Sequence, residues 1–214
     1  MATRVADSRT RRYDPAETRL RVLEAANHLF YTQGFAKTGT ADIARAADVS
    51  EGSIFYHFGS KRNLLEELGH MHGERMCEAM SGGDPLQDLT PAVTIKRCFD
   101  FCEANRSWEA IVKANGDGTK AGLMSNPDAE PFYRASHEVV AAWCRRQYAA
   151  MADKLGLSEL DTEIAAELTY SAVGAALDIG FAPDATREVR ERAEREAIRF
   201  ITAACGVCGK PCGE

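Results

Sequence analysis

The stretch "DIARAADVSEGSIFYHFGSKRNLL", residues 42–65, decides the fold. It opens on small helix-forming residues, breaks at Asp48, restarts at Ser50, and gathers Phe55, Tyr56, His57 and Phe58 just before Lys61 and Arg62. Ala44, Asp48 and Ile54 stand at relative positions 0, +4 and +10. That spacing suits two short helices crossing at a tight turn. The small residue allows close approach, the turn residue must accept a positive φ, and the aliphatic seals the second helix onto the first. Glycine is the usual turn residue, and aspartate is one of the few others that reach this conformation at modest cost. Phe55 and Phe58 are expected in the core, covering Ile54 and Leu64.

Working outward, almost every segment reads as helix. Val22, Leu23, Ala26, Leu29 and Phe30 follow helical spacing, with Pro15 suited to a first turn and Gly34 placed to end it. Short helices are predicted over 40–47 and 50–58. A longer one follows with Ser60 as its N-cap and ends at "SGGDP", residues 81–85. Thr90-Pro91 opens another, with Ile95, Phe99 and Cys102 on one face. A short helix over 107–113, a long one over 128–154, one capped by Ser158 reaching Phe181, and a last over 186–205 complete an all-α chain. In "REVRERAEREAIRF", Glu188 with Arg192 and Glu191 with Arg195 are spaced as i,i+4 pairs on a solvated face.

The composition is that of a globular protein: 214 residues, 45% hydrophobic and 27% charged. No apolar run approaches the ~20 residues that span a bilayer, and the basic N-terminus lacks the apolar middle of a secretory signal. A cytoplasmic protein with reduced cysteines is therefore expected. The net charge of −6 is unevenly spread. Residues 1–62 carry ten Lys/Arg against seven acids, +3, and the remainder 16 against 25, −9. A basic head on an acidic body points to a polyanion partner for the head alone.

The flanks of the opening stretch carry a resemblance. Ala25-Ala26 with Leu29-Phe30, Gly34-Phe35, Thr38, Ile43-Ala44, Val49-Ser50, Gly52, His57-Phe58 and Lys61 form a continuous pattern over residues 18–65. This pattern resembles the DNA-binding domain of the TetR family of transcriptional repressors. The resemblance implies a three-helix helix-turn-helix domain at 15–60, preceded by a flexible basic arm at 1–14. A larger helical ligand-binding and dimerisation domain follows at 61–205, with a flexible Cys/Gly-rich tail at 206–214. Its implied partner is double-stranded, near-palindromic operator DNA.

Ser50 would then start the recognition helix, with Glu51, Gly52 and Ser53 in the turn that enters the major groove. Gly52 allows close approach, Ser53 can bond a base edge or phosphate, and Glu51 either accepts from a cytosine amine or simply favours the helix N-terminus. By resemblance Thr38, Tyr56 and His57 bond phosphates, Thr40 reads a base, and Lys61 adds charge at a helix N-terminus. Arg9, Arg11 and Arg12 reach a neighbouring groove or phosphates. Two residues depart from the pattern: Phe55 stands where the family most often has tyrosine, and Gly39 replaces a usual Thr or Ser.

In the body, Ile164, Leu168, Ala172, Ala175 and Ile179 form one stripe, and Val189, Ala193, Ala197, Phe200 and Ala204 another. Two such pairs from two copies make a four-helix bundle, the homodimer contact that the resemblance implies through helices near 160–181 and 186–205. Phe99, Cys102, Trp108, Val112, Tyr133, His137, Val140, Cys144 and Tyr148 are the candidate walls of a site for an aromatic or amphipathic small-molecule inducer. No cofactor and no metal site is expected. An alternative is a thiol- or metal-sensing regulator using Cys98 and Cys102, or Cys205, Cys208 and Cys212. His70 and His72, two apart on a helix, point different ways and add nothing to a metal site. Catalysis is not expected: "GDGTKAG" lacks the strand and the Lys-Ser/Thr of a phosphate loop, and no nucleophile elbow is present.

Overall fold

The computed structural model describes residues 14–105, 129–157, 160–182 and 184–204. Among them are eight α-helices and no strand: α1 (Pro15–Gln33), α2 (Thr40–Ala47), α3 (Glu51–Phe58), α4 (Lys61–Ser81), α5 (Pro91–Ala104), α6 (Glu130–Leu155), α7 (Thr162–Gly180) and α8 (Arg187–Ala204). A 3-10 turn at Leu86–Asp88 links α4 to α5. The arm with Arg9, Arg11 and Arg12, the expected helix at 107–113 with Trp108 and Val112, the "GDGTKAG" loop, and the cysteine tail lie outside the described residues.

Local chemistry sets most boundaries. Asp14 accepts from the Ala16 and Glu17 amides, Ser50 from Ser53, Ser60 from Asn63 and Thr90 from Val93, so each helix start has an orphan N–H satisfied. Asp48 sits at φ 54°, ψ 51°, the one non-glycine positive φ among the described residues. It ends α2 as the spacing predicts. Thr162 follows Asp161, whose carboxylate accepts from Glu163 and Ile164. The α7 cap is thus Asp161 rather than Ser158, because an acidic acceptor stands directly before the apolar run. On α8 the pairs formed are Arg187 with Glu191 at 2.8 Å and Arg199 with Glu196 at 2.7 Å, in place of the expected Glu188–Arg192 and Glu191–Arg195.

Two clusters fill the interior. The first joins Val22, Ala26 and Phe30 of α1, Ile43 and Ala47 of α2, and Ile54 and Phe58 of α3 to Leu64, Leu65 and Leu68 of α4. It also takes in Ala129, Phe132 and Tyr133 at the start of α6. The second lies between the far half of α4 and α5–α8, around Met80, Ile95, Phe99, Trp143, Tyr148, Ala166 and Ile201. Arg97 closes the α4 C-terminus by donating to the Met80 and Ser81 carbonyls at 3.2 and 2.6 Å, while pairing with Asp84.

α4 and α6 touch backbone to backbone. A Cβ placed on Gly69 would lie 2.2 Å from the Phe132 carbonyl oxygen, and one on Gly73 would lie 2.9 Å from the Val139 Cβ. Only glycine fits at this crossing. Arg62–Glu130 and Arg134–Glu66 ion pairs border it at 2.7 and 2.8 Å, and Arg19–Glu67 ties α1 to α4 at 2.6 Å.

Among the described residues no helix is long and apolar enough to cross a membrane.

Candidate nucleic-acid interface and ligand cavity

α3 buries Ile54 and Phe58 against α1 and α4 and leaves Glu51, Gly52, Phe55 and Tyr56 outward. Tyr56 is 80% exposed and Phe55 50%. Phe55 is therefore not core, contrary to expectation. Phe58, one turn along the buried face with Ile54, takes the place next to Leu64, and the 100° step per residue turns Phe55 away from it. Ser53 and His57 are half-buried on the flank, with the His57 ring edge-on to Tyr56. Ser50 caps the helix and shares a 2.8 Å hydroxyl–hydroxyl hydrogen bond with Ser53. The Thr40 hydroxyl donates to the Glu51 carboxylate, bridging the N-termini of α2 and α3. Two expected base readers are thus paired with each other.

Two expected phosphate contacts face inward. Thr38 is fully buried and its hydroxyl donates to the Gly34 carbonyl at 2.8 Å. It closes the α1 C-terminus, because a buried hydroxyl must spend its proton on the nearest orphan carbonyl. Lys61 Nζ donates to the Phe35 and Thr38 carbonyls at 2.8 and 2.9 Å and lies 4.2 Å from the Phe35 ring centre. It ties the loop before α2 onto α4. Gly39, with no side chain to cap α2, has its N–H bonded by Asp42 at 3.3 Å.

Below the head a cavity of about 110 Å³ opens between four helices. α4 supplies His72, Met76 and Met80, and α5 supplies Thr94, Ile95 and Cys98. Along α6 it meets Tyr133, Ser136, Val140, Trp143, Cys144 and Gln147. α7 closes it with Thr169, Tyr170, Val173, Gly174 and Leu177.

Of the residues expected there, Tyr133, Val140 and Cys144 line it. Phe99 and Cys102 do not: both are buried in the second core, Phe99 with its ring 5.8 Å from Phe181. His137 faces outward to Glu167 at 3.0 Å, and Tyr148 spends its hydroxyl on Thr169 behind the wall. The actual α6 stripe is rotated from the expected one by about one residue, toward Ser136, Trp143 and Gln147. Trp143 was the available signal, since a large amphipathic ring at that spacing is a common pocket wall. α7 gave no such signal, because its periodicity serves two faces.

His72 links cavity and head. Its Nδ1 shares a 3.1 Å hydrogen bond with Ser136, and its ring lies edge-on to Phe101 and tilted against Phe132. Desolvation, with Arg75 nearby, pulls its pKa from 6.5 to about 4. Burial pushes the Cys77 and Cys144 thiols up to about 12, so they stay protonated and weakly nucleophilic near neutral pH. Cys98 and Cys102 are buried on α5, and among the described residues no group of three or more His, Cys, Asp or Glu is placed to hold a metal. The thiol- or metal-sensing alternative finds no support.

The outer stripe of α7 is bare: Ile164, Leu168 and Ile179 are 55%, 65% and 59% exposed, and Ala175 is exposed beside them. On α8 the expected stripe divides. Ala193 and Ala197 are buried in the chain's own core, while Phe200 is 64% exposed.

Residues 22–68 match the family model described as bacterial regulatory proteins, tetR family. The transcriptional regulator TtgR of Pseudomonas putida is 41% identical over 76 residues, covering 33% of this chain and 36% of that protein. TtgW of the same species, described as an uncharacterised transcriptional regulator, is 32% identical over 117 residues, 54% of this chain and 69% of that one. The chain spans only 36–44% of the length of TtgR and three other regulators it matches. A TetR-family structure from Syntrophomonas wolfei superposes with a TM-score of 0.70 at 15% identity, covering 94% of this chain and all of that one. Helix-turn-helix, all-helical body and sequence relatives agree, and the chain belongs to the TetR family of bacterial regulatory proteins.

Proposed function

We propose that this protein is a dimeric transcriptional repressor that binds a near-palindromic operator and releases it when a small molecule enters the cavity. One observation carries the reading: α4 serves both sites. Its first half completes the helix-turn-helix core through Leu64, Leu65 and Leu68, and its second half walls the cavity with His72, Met76 and Met80. Tyr133 belongs to the head's core and to the cavity wall at once. A ligand that prefers one setting of the α4–α6 crossing therefore also selects one setting of the head.

In this reading Gly52, Ser53 and Phe55 enter the groove, Glu51 and Thr40 exchange their mutual bond for base contacts, and Tyr56 and His57 meet phosphates. Arg9, Arg11 and Arg12 supply the arm. The bare α7 stripe with Phe200 supports dimerisation, since a row of large exposed apolar side chains along one helix face marks an interaction surface. Two heads would then address two half-sites about one helical turn or a multiple apart. The DNA target makes the cytoplasm the working compartment.

The test is selection of bound fragments from source genomic DNA by the full chain at moderate salt, followed by sequencing. Recovery of one near-palindromic site supports the reading; sequence-blind recovery, or none, refutes it.

A further inference from the structure

The described cavity wall holds no aspartate, glutamate, lysine or arginine. Its polar groups are all neutral hydrogen-bonding side chains: Thr94, Ser136, Gln147 and Thr169, with the Tyr133 and Tyr170 rings beside them. His72, the one wall residue able to carry charge near neutrality, is uncharged at pH 7. The charged groups near it, Glu167 and Asp178 by Tyr170 and Arg75 by His72, are outside the wall, and Glu167 is engaged by His137 at 3.0 Å and Arg145 at 4.0 Å. The rest of the surface is thioether, aliphatic and aromatic: Met76, Met80, Ile95, Val140, Trp143 and Leu177.

We infer that this cavity selects uncharged, predominantly apolar molecules bearing hydrogen-bonding groups, and rejects organic cations and carboxylates of the same shape. The inference rests on the cavity being the inducer site. Its physical basis is that an ion entering this space gives up hydration and meets no counter-charge among the described wall residues, whereas a hydroxyl or carbonyl finds Ser136, Gln147 or Thr169. Softness of the Met76 and Met80 side chains allows the wall to adjust to several ring systems, so charge rather than outline is the main filter.

The experiment compares three probes of one shape: 2-naphthalenemethanol, 2-naphthoate and 2-naphthylmethylammonium. Each is titrated calorimetrically into the full chain at pH 7.5, and in parallel into two variants. Gly174→Phe is chosen to fill the cavity, since Gly174 lines it and a Cβ added there meets no atom within 4 Å. Gln147→Glu adds a carboxylate at nearly constant shape.

The expected result is that the alcohol binds at least ~30-fold tighter than either ion. Gly174→Phe weakens it at least ~10-fold, and Gln147→Glu moves the ammonium ~10-fold toward tighter binding. Tighter or equal binding of an ion, still blocked by Gly174→Phe, overturns the charge selection and leaves the cavity as the ligand site. Absence of binding by all three probes, or binding indifferent to both variants, overturns the inference together with the inducer-cavity reading.

Discussion

Lys61→Met separates two roles that the same lysine can play. Its ammonium makes two charge-assisted bonds, to the Phe35 and Thr38 carbonyls, and lies over the Phe35 ring. Bonds to a charged group contribute ~1.5–3 kcal/mol each when well enclosed. Lys61 is only half-buried, so the pair is worth about 2–4 kcal/mol together. For a chain of this size that corresponds to a fall in Tm on the order of 5–15 °C. Methionine keeps the apolar stem and isolates the loss of the charge. Because the loop that is released leads into α2, operator affinity falls on every sequence. Yet the dependence of log K on log salt keeps its slope, since no phosphate contact is lost. A phosphate-bound lysine would behave oppositely, with stability preserved and the slope reduced by ~0.9. The assays are urea unfolding at fixed protein concentration and fluorescence anisotropy of a labelled operator at several salt concentrations. An unchanged unfolding midpoint with a slope reduced by about one would refute the strut.

Four further outcomes are expected. Gly69→Ala forces a methyl into the Phe132 carbonyl and costs at least ~2 kcal/mol, whereas Gly174→Ala meets nothing and stabilises by ~0.5–1 kcal/mol; paired unfolding curves check the contrast. Asp48→Gly relieves an αL aspartate at φ 54° and gains ~0.5 kcal/mol, read as a higher urea midpoint. His72 has its folded pKa lowered to about 4 against 6.5 unfolded, so between these values the unfolded chain binds the extra proton. Stability therefore falls as pH drops from 6.5 toward 4, by on the order of 2–3 kcal/mol, and His72→Gln should flatten that part of the profile. Leu168→Glu places a charge in the middle of the bare α7 stripe; on the proposed dimer it is expected to give a monomer in sedimentation velocity, with operator binding lost while helical circular dichroism is retained.

The head's architecture and its turns were legible from residues within a few positions of each other. Asp14, Ser50, Ser60 and Thr90 cap the helices they precede, and Asp48 takes the positive φ that its place in the spacing requires. Such features are local: one side-chain oxygen and an amide two or three residues on, or one backbone conformation that few residue types accept. The all-α fold followed from the same short-range periodicity. Here the amino-acid sequence was sufficient because the competing conformations differ in interactions within a single turn.

The site was settled by contacts the chain makes at long range. Lys61 bonds carbonyls 23 and 26 positions earlier, and His72 meets Ser136 across 64 positions. Helical spacing shows which residues share a face but not which face a crossing turns inward. A rotation of α6 by about one residue exchanges His137 and Tyr148 for Ser136, Trp143 and Gln147 at the cavity. The same ambiguity put Phe55 on the surface, and set Ala193 and Ala197 inside while Phe200 stayed out. The crossing of α4 on α6 is itself fixed by backbone contact at Gly69 and Gly73, where the absence of a side chain leaves no mark in a hydrophobic pattern. Sequence determined the elements and the family; packing between elements decided which side chains face the cavity, the core and the open surface.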